Sequence, residues 1–188
     1  FALFHTYFFT RLRMGRLPEK ESLVDIFRWR VKESSESIVS KYNDRSLTYQ
    51  EYDSNANRVA QGIINEGCKP NGRVAFLAKN SDQFFEFLYG TMKSRTVAVG
   101  INWRLAPPEV SYVINDSKSE ILFVGKEFYP IINEIINEIP TIKKIISMDG
   151  DSEWEQYILW RDKFDAIDPF LGSNIEDDVI QLYTSGTT

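Results

Sequence analysis

Apolar residues recur along most of the chain every three to four positions, and short runs in which nearly every position is apolar break that rhythm. Leu23, Ile26, Phe27 and Val31 fall at helical spacing, which predicts an amphipathic helix over 21–33. Short β-like stretches follow at 37–41 and 46–48, hinged at Asn43-Asp44. Thr48 and Glu51 are spaced as a capping box, in which hydroxyl and carboxylate each satisfy a free amide at a helix start. Tyr52, Ala56, Val59, Ala60, Ile63 and Ile64 trace the buried face of that helix, and Gly67 can close it in a left-handed turn. Pro70-Asn71-Gly72 then turns the chain into 73–78, a strand apolar on both faces, as strands inside parallel sheets are.

The same unit repeats in type. Phe84, Phe85, Leu88 and Met92 predict a helix, and Val97 to Ile101 a strand. Pro107-Pro108 can open a helix carrying Val110, Val113 and Ile114, because proline is tolerated in a first turn. A strand over 120–124, a helix over 128–139 and a strand over 143–148 follow. Trp154, Tyr157, Ile158 and Trp160 suggest a short helix, and a loop through Asp168-Pro169 leads to a last strand over 179–183, expected to be buried. Alternation of this kind predicts an α/β fold with a mostly parallel sheet and flanking helices. No Pro- or Ser-rich linker divides 21–188, whereas residues 1–20 form a distinct aromatic and basic segment.

Composition narrows the function classes. The 188 residues carry 22 Lys plus Arg against 27 Asp plus Glu, a net charge of −5, which disfavours nucleic acid as the main partner. Cys68 is the only cysteine, so an internal disulfide framework and a cysteine zinc cluster are excluded, and a reducing, cytoplasmic compartment is expected. His5, the only histidine, sits too near the terminus to suit a nucleophile–histidine triad. The run Phe1 to Phe9 is too short to span a bilayer, and its arginines (Arg11, Arg13, Arg16) follow it rather than precede it as in a signal peptide. It reads either as a helix docked on the body of the protein or as a membrane-surface segment.

The candidate chemistry lies in the last residues. A strand leading straight into Thr184-Ser185-Gly186-Thr187-Thr188 points this segment at the carboxyl edge of a parallel sheet, where ligands collect. Glycine lets successive amides face one way, and hydroxyls add donors for phosphate oxygens without the desolvation cost of extra charge. An ordinary polar turn is the plain alternative. The G-x-x-x-x-G-K-S/T spacing of the common P-loop is absent. Elsewhere, Cys68 reads as a turn residue, Asp177-Asp178 as a solvated approach to the last strand, and Phe84, Phe85 and Tyr89 as core. Trp103-Arg104 either braces a loop or contacts substrate.

Tyr183 to Thr188 resembles the start of the phosphate-loop signature of adenylate-forming enzymes, which include acyl-CoA synthetases, peptide-synthetase adenylation domains and luciferases. Leu47-Thr48-Tyr49-Gln50-Glu51-Tyr52 is similar to that family's "LTYxEL", with Asn57-Arg58-Val59-Ala60 after it. Gly72 to Ala75 resembles "GDRVA" and Asn80-Ser81 the "NS" that follows. Ala98 to Leu105 resembles "AVPxNxRL", in a form that leans toward fatty acyl-CoA synthetases, and Asp177 to Tyr183 matches the approach to the phosphate loop. The pattern is departed from in two places: Lys93-Ser94-Arg95-Thr96 replaces "KxGA", and Gly100 replaces proline.

The resemblance implies the N-terminal part of an AMP-binding domain over 21–188 and an acid–thiol ligase. ATP and a carboxylic acid would give acyl-adenylate and pyrophosphate, and coenzyme A would then take the acyl group. Thr184, Ser185, Gly186, Thr187 and Thr188 would hold the ATP phosphates, with Thr184 and Thr187 giving the hydroxyl contacts and Thr184 a magnesium contact. No residue of this chain would be catalytic in itself, because the family's catalytic lysine, magnesium-binding glutamate and adenine segment come later. Both ends read as interior points of a longer chain, so the isolated 188-mer is expected to be inactive, with an open sheet edge that favours self-association. Another acid, aromatic or amino, a non-catalytic nucleotide-binding relic, and a membrane-attached transport-type protein are the competing readings. Peripheral membrane contact through the aromatic–basic N-terminus would accompany the last.

Overall fold

A computed structural model describes residues 22–184. Residues 1–21, which include the aromatic and basic segment 1–20, and Ser185, Gly186, Thr187 and Thr188 lie outside the described residues. The chain folds as α1 (Leu23–Ser34), a hairpin of β1 (Ile38–Tyr42) and β2 (Arg45–Thr48), then α2 (Tyr49–Asn65), β3 (Arg73–Leu77), α3 (Asp82–Lys93) and β4 (Val97–Gly100). It continues through α4 (Pro107–Ser117), β5 (Ser119–Val124), α5 (Tyr129–Ile135), β6 (Lys144–Ser147), β7 (Glu155–Gln156), α6 (Tyr157–Arg161) and β8 (Ile180–Leu182). β3 to β8 form one six-stranded sheet in the order β7-β6-β5-β3-β4-β8, parallel at every pairing.

The sequence signals for the element ends hold. Thr48 Oγ1 accepts from the Glu51 amide, and Glu51 Oε2 accepts from the Thr48 amide at 2.9 Å, closing the capping box. Gly67 ends α2 at φ +86°, and Asn43 turns the hairpin at φ +51°. Pro107 opens α4, where the Glu109 carboxylate accepts from the Ala106 amide at 2.8 Å.

The sheet is covered on both faces. Val59 and Ile63 of α2, Phe87 of α3 and Tyr157 and Trp160 of α6 pack on Val74, Phe76, Ala98, Ile121, Phe123 and Ile146. Val110, Val113 and Ile114 of α4, with Ile132 and Ile135 of α5, pack on Ala75, Leu77, Val99, Leu122 and Val124 of the other face. Residues of β3 and β5 are buried whichever way they point, which is why these strands read as continuous apolar runs.

Four expectations need correction. β8 is not buried: it pairs with β4 alone at the end of the sheet, and Ile180 and Leu182 are 40% and 65% exposed. The helix over 128–139 keeps α-helical geometry only from Tyr129 to Ile135, with 3-10 turns on both sides. Cys68 does lie in the turn between α2 and β3, but its side chain is part of the core; burial, then Glu120 3.7 Å away, pushes the thiol pKa up to about 12. Phe85 is half-exposed on the outer side of α3.

Residues 165–179, with no regular structure, form a strap from α6 to β8 that crosses α2, α1 and α3. Asn57 and Gln61 of α2 donate to the carbonyls of Ala166 and Ile167. Asp168 then accepts both forks of Arg28, at 2.8 and 2.7 Å, and the ammonium of the fully buried Lys93. Burial works against the Asp168 anion, but hydrogen bonds from Arg28, Lys93 and the Phe170 amide outweigh it and hold the carboxyl at about 2. A carboxyl depressed on folding stabilises the native state above its unfolded value of roughly 3.9, and that contribution disappears as the pH falls toward 2. Urea midpoints should therefore fall as the pH is lowered from about 5, and less steeply in D168N. Parallel curves for the two proteins would contradict this assignment.

Candidate functional site

Because all six strands run the same way, their carboxyl ends share one edge. Register places the ends level: Phe76 of β3 lies opposite Gly100 of β4 and Phe123 of β5, and Gly100 opposite Leu182 of β8. Ala78-Lys79, Asn102-Trp103-Arg104, Gly125-Lys126 and Thr184 thus leave the sheet at one height. The strand order reverses around β3, which has β4 on one side and β5 on the other, so the crevice between β3 and β5 is a topological switch point.

A cleft of about 630 Å³ occupies that crevice. Phe76, Ala78, Phe128, Met148 and Ile158 give it an apolar floor, and Arg45, Lys79, Gln83, Lys126 and Gln156 a polar rim. The rim is largely self-neutralised: Lys79 meets Glu127 at 2.8 Å, and Arg45, which also lines it, meets Asp82 at 2.7 Å.

Of the residues expected to grip phosphates, Thr184 is described, exposed beyond β8. Thr184 is not part of the cleft lining, so the structure does not bring the two together. Three side chains hold the strand that carries it. Tyr183 donates to Asp116 of α4 at 2.6 Å, Gln181 Nε2 donates to the Tyr183 hydroxyl, and Arg73 of β3 donates to Gln181 Oε1. Burial and then the Asp116 carboxylate push the Tyr183 phenol up to about 12, so it remains a neutral donor at any working pH.

Sequence reasoning had not joined Lys79 to Trp103 and Arg104. The Lys79 ammonium stands 5.6 Å and the Arg104 guanidinium 4.3 Å from the Trp103 ring centre, the geometry of cation–π contacts. Arg104 has no carboxylate within ion-pair distance among the described residues, and its amide donates to Asn102 Oδ1. The only signal available beforehand was the Asn-Trp-Arg run itself; strand order is needed to bring Lys79 beside it. Among the described residues no three His, Cys, Asp or Glu cluster as metal ligands, and no helix is long and apolar enough to cross a membrane.

An open parallel sheet with helices on both faces and a switch point at its carboxyl edge defines an α/β protein of the doubly wound kind. The chain belongs to the AMP-binding enzyme family, whose model matches residues 27–188. It is 34% identical over 178 residues to fatty acid–[acyl-carrier-protein] ligase ScoC of Streptomyces coeruleorubidus, covering 93% of this chain and 33% of that protein. It is 33% identical over 156 residues to long-chain-fatty-acid–CoA ligase FadD13 of Mycobacterium tuberculosis, covering 81% of this chain and 30% of that one. The crystal structure of the anthranilate CoA ligase AuaEII with anthranoyl-AMP superposes with a TM-score of 0.85 at 28% identity, over 92% of this chain and 34% of that chain. The chain spans about a third of the length of these curated relatives.

Proposed function

We propose that this chain supplies the phosphate-holding edge of an ATP-dependent fatty acyl-CoA synthetase. One observation carries the reading: β8 ends at the shared carboxyl edge and leads into Thr184-Ser185-Gly186-Thr187-Thr188 within the stretch matched by the AMP-binding enzyme model. Fatty-acid ligases among the relatives support the choice of acid.

In this reading a fatty acid carboxylate attacks the α-phosphate of ATP, giving acyl-adenylate and pyrophosphate, and coenzyme A then displaces AMP. The hydroxyls of Thr184 and Thr187 and the amides around Gly186 hold the β- and γ-phosphates as charge moves onto the departing pyrophosphate. They act by position and electrostatics, with no covalent step. The donor set suits magnesium–phosphate: neutral hard oxygens at Thr184, with the Arg104 cation on the same edge. A bound magnesium would neutralise phosphate charge, and Thr184 is the residue of this chain proposed to face it. The lone, buried Cys68 is consistent with a reducing, cytoplasmic setting.

A second reading keeps the adenylation and changes the partners. The likeness to AuaEII favours an aromatic acid, and the likeness to ScoC an acyl-carrier protein in place of coenzyme A. Incubating the full-length protein with ATP, magnesium, fatty acids or benzoates, and either thiol acceptor separates these. Fatty acyl-CoA is the product expected; aryl thioesters only, or acyl-carrier thioesters only, would favour the second reading, and no thioester at all would contradict both. The 188-residue chain alone is expected to form no acyl-adenylate.

A further inference from the structure

Arg95 stands where the resembling family has glycine, and its backbone keeps the glycine conformation: φ is +54°, in the left-handed region just after α3. An arginine there works against a steric penalty that glycine escapes. Its side chain gives the reason to look further. Nε donates to Asp177 Oδ2 at 3.0 Å and Nη2 to Asp177 Oδ1 at 2.7 Å, a two-pronged pair across 82 residues. Asp177 is fixed in turn, since its Oδ2 also accepts from the Asn174 amide and its own amide donates to the Asn174 carbonyl.

The pair joins the amino ends of two neighbouring strands. Arg95 lies two residues before β4 and Asp177 three residues before β8. Immediately beyond it, the Ala98 amide donates to the Val179 carbonyl, the first rung between the two strands. β8 is three residues long, has one neighbour and exposes Ile180 and Leu182, so burial does little to set its register. A slip of β8 along β4 would shift Thr184 by the same distance.

We propose that Arg95 is a positioning residue: its fork on Asp177 fixes the amino end of β8 on β4, while Tyr183 and Gln181 hold the other end, and through β8 it helps to set the place of the phosphate-holding segment. The second half of this statement rests on the proposed function; the first does not. The strap explains why such a clamp is useful, because residues 169–176 bring no strand or helix of their own to the approach to β8.

The test compares wild type, R95G, D177N and the double variant in the full-length protein by amide hydrogen exchange and by the kinetics of acyl-adenylate formation. R95G removes the fork and relieves the backbone, so the global unfolding midpoint should change little. Exchange at Ile180 to Leu182 should nevertheless rise by roughly fivefold in either single variant, the scale of one well-formed half-exposed ion pair. The double variant should exchange no faster than the singles, because both remove one interaction. KM for ATP should rise in step, with kcat nearly kept. Unchanged exchange in β8, additive effects in the double variant, or faster exchange with an unaltered KM for ATP would each overturn the proposal. If the wild type itself forms no acyl-adenylate, the functional reading fails, and exchange in β8 still decides whether Arg95 holds the strand.

Discussion

Replacing Glu86 with alanine is expected to cost about 3–5 kcal/mol of folding stability, the range for breaking a buried ion pair from one side. Glu86 lies beneath α2 and α6 at 2% exposure and has three partners. Its carboxylate accepts from the Tyr157 hydroxyl at 2.6 Å, from Arg161 Nη1 at 3.0 Å and from Asn55 Nδ2 at 2.8 Å. Alanine would leave a fully buried phenol without an acceptor and a largely buried guanidinium with only its sequence neighbour Asp162. Burial, and then the neighbouring Glu86 carboxyl group, keep the Tyr157 phenol well above its ordinary range, so ionisation offers it no escape. E86Q keeps an acceptor for Tyr157 and loses the charge, and it should cost about 1–3 kcal/mol. Denaturant unfolding that ranks the two variants equally, or finds E86A within 1 kcal/mol of wild type (about the ordinary surface spread), would contradict this picture of the core.

G90A should also destabilise, against what helix propensity alone predicts. Alanine is worth about 0.8–1.0 kcal/mol more than glycine inside a helix. A Cβ on Gly90, however, would stand 2.4 Å from Val59 Cγ1 and 2.7 Å from Val59 Cβ, where α3 packs on α2. Overpacking of that kind costs about 1–3 kcal/mol, so the net sign is a loss. V59A should recover part of it in the G90A background while costing stability in the wild type, and that coupling identifies the cause. A G90A protein more stable than wild type would mean that α2 and α3 separate freely.

The central strands were legible because both of their faces are buried: Val74 to Leu77 and Ile121 to Val124 have no polar side to show. β8 is flanked by Val179 and Tyr183 and carries Ile180 and Leu182, yet both of these side chains face solvent. Hydrophobic pattern reports what a strand is able to bury, and it cannot report whether a neighbour is there. The Arg28–Asp168–Lys93 cluster was invisible for another reason. Its members are 75 and 140 residues apart, and nothing local in Asp168-Pro169 distinguishes a loop aspartate from an anchor. At the candidate site, the hydroxyl- and glycine-rich segment proposed to hold phosphates stands out by the order of its residues. The platform of Lys79, Trp103 and Arg104 depends on β3 and β4 being neighbours, which spacing alone does not say. Arg95 stood out as a departure from the family pattern, and only its left-handed backbone and its reach to Asp177 give that departure a use.

The proposed function rests above all on the segment beyond β8 holding ATP phosphates during adenylation of an acid. Acid-dependent exchange of labelled pyrophosphate into ATP by the full-length protein, in wild type and in T184V and T187V, tests it most directly. Exchange should require a fatty acid and fall by roughly 10²–10³ when such a transition-state donor is removed, with the unfolding midpoint kept. Exchange that needs no carboxylic acid, or that is indifferent to both substitutions, would contradict it.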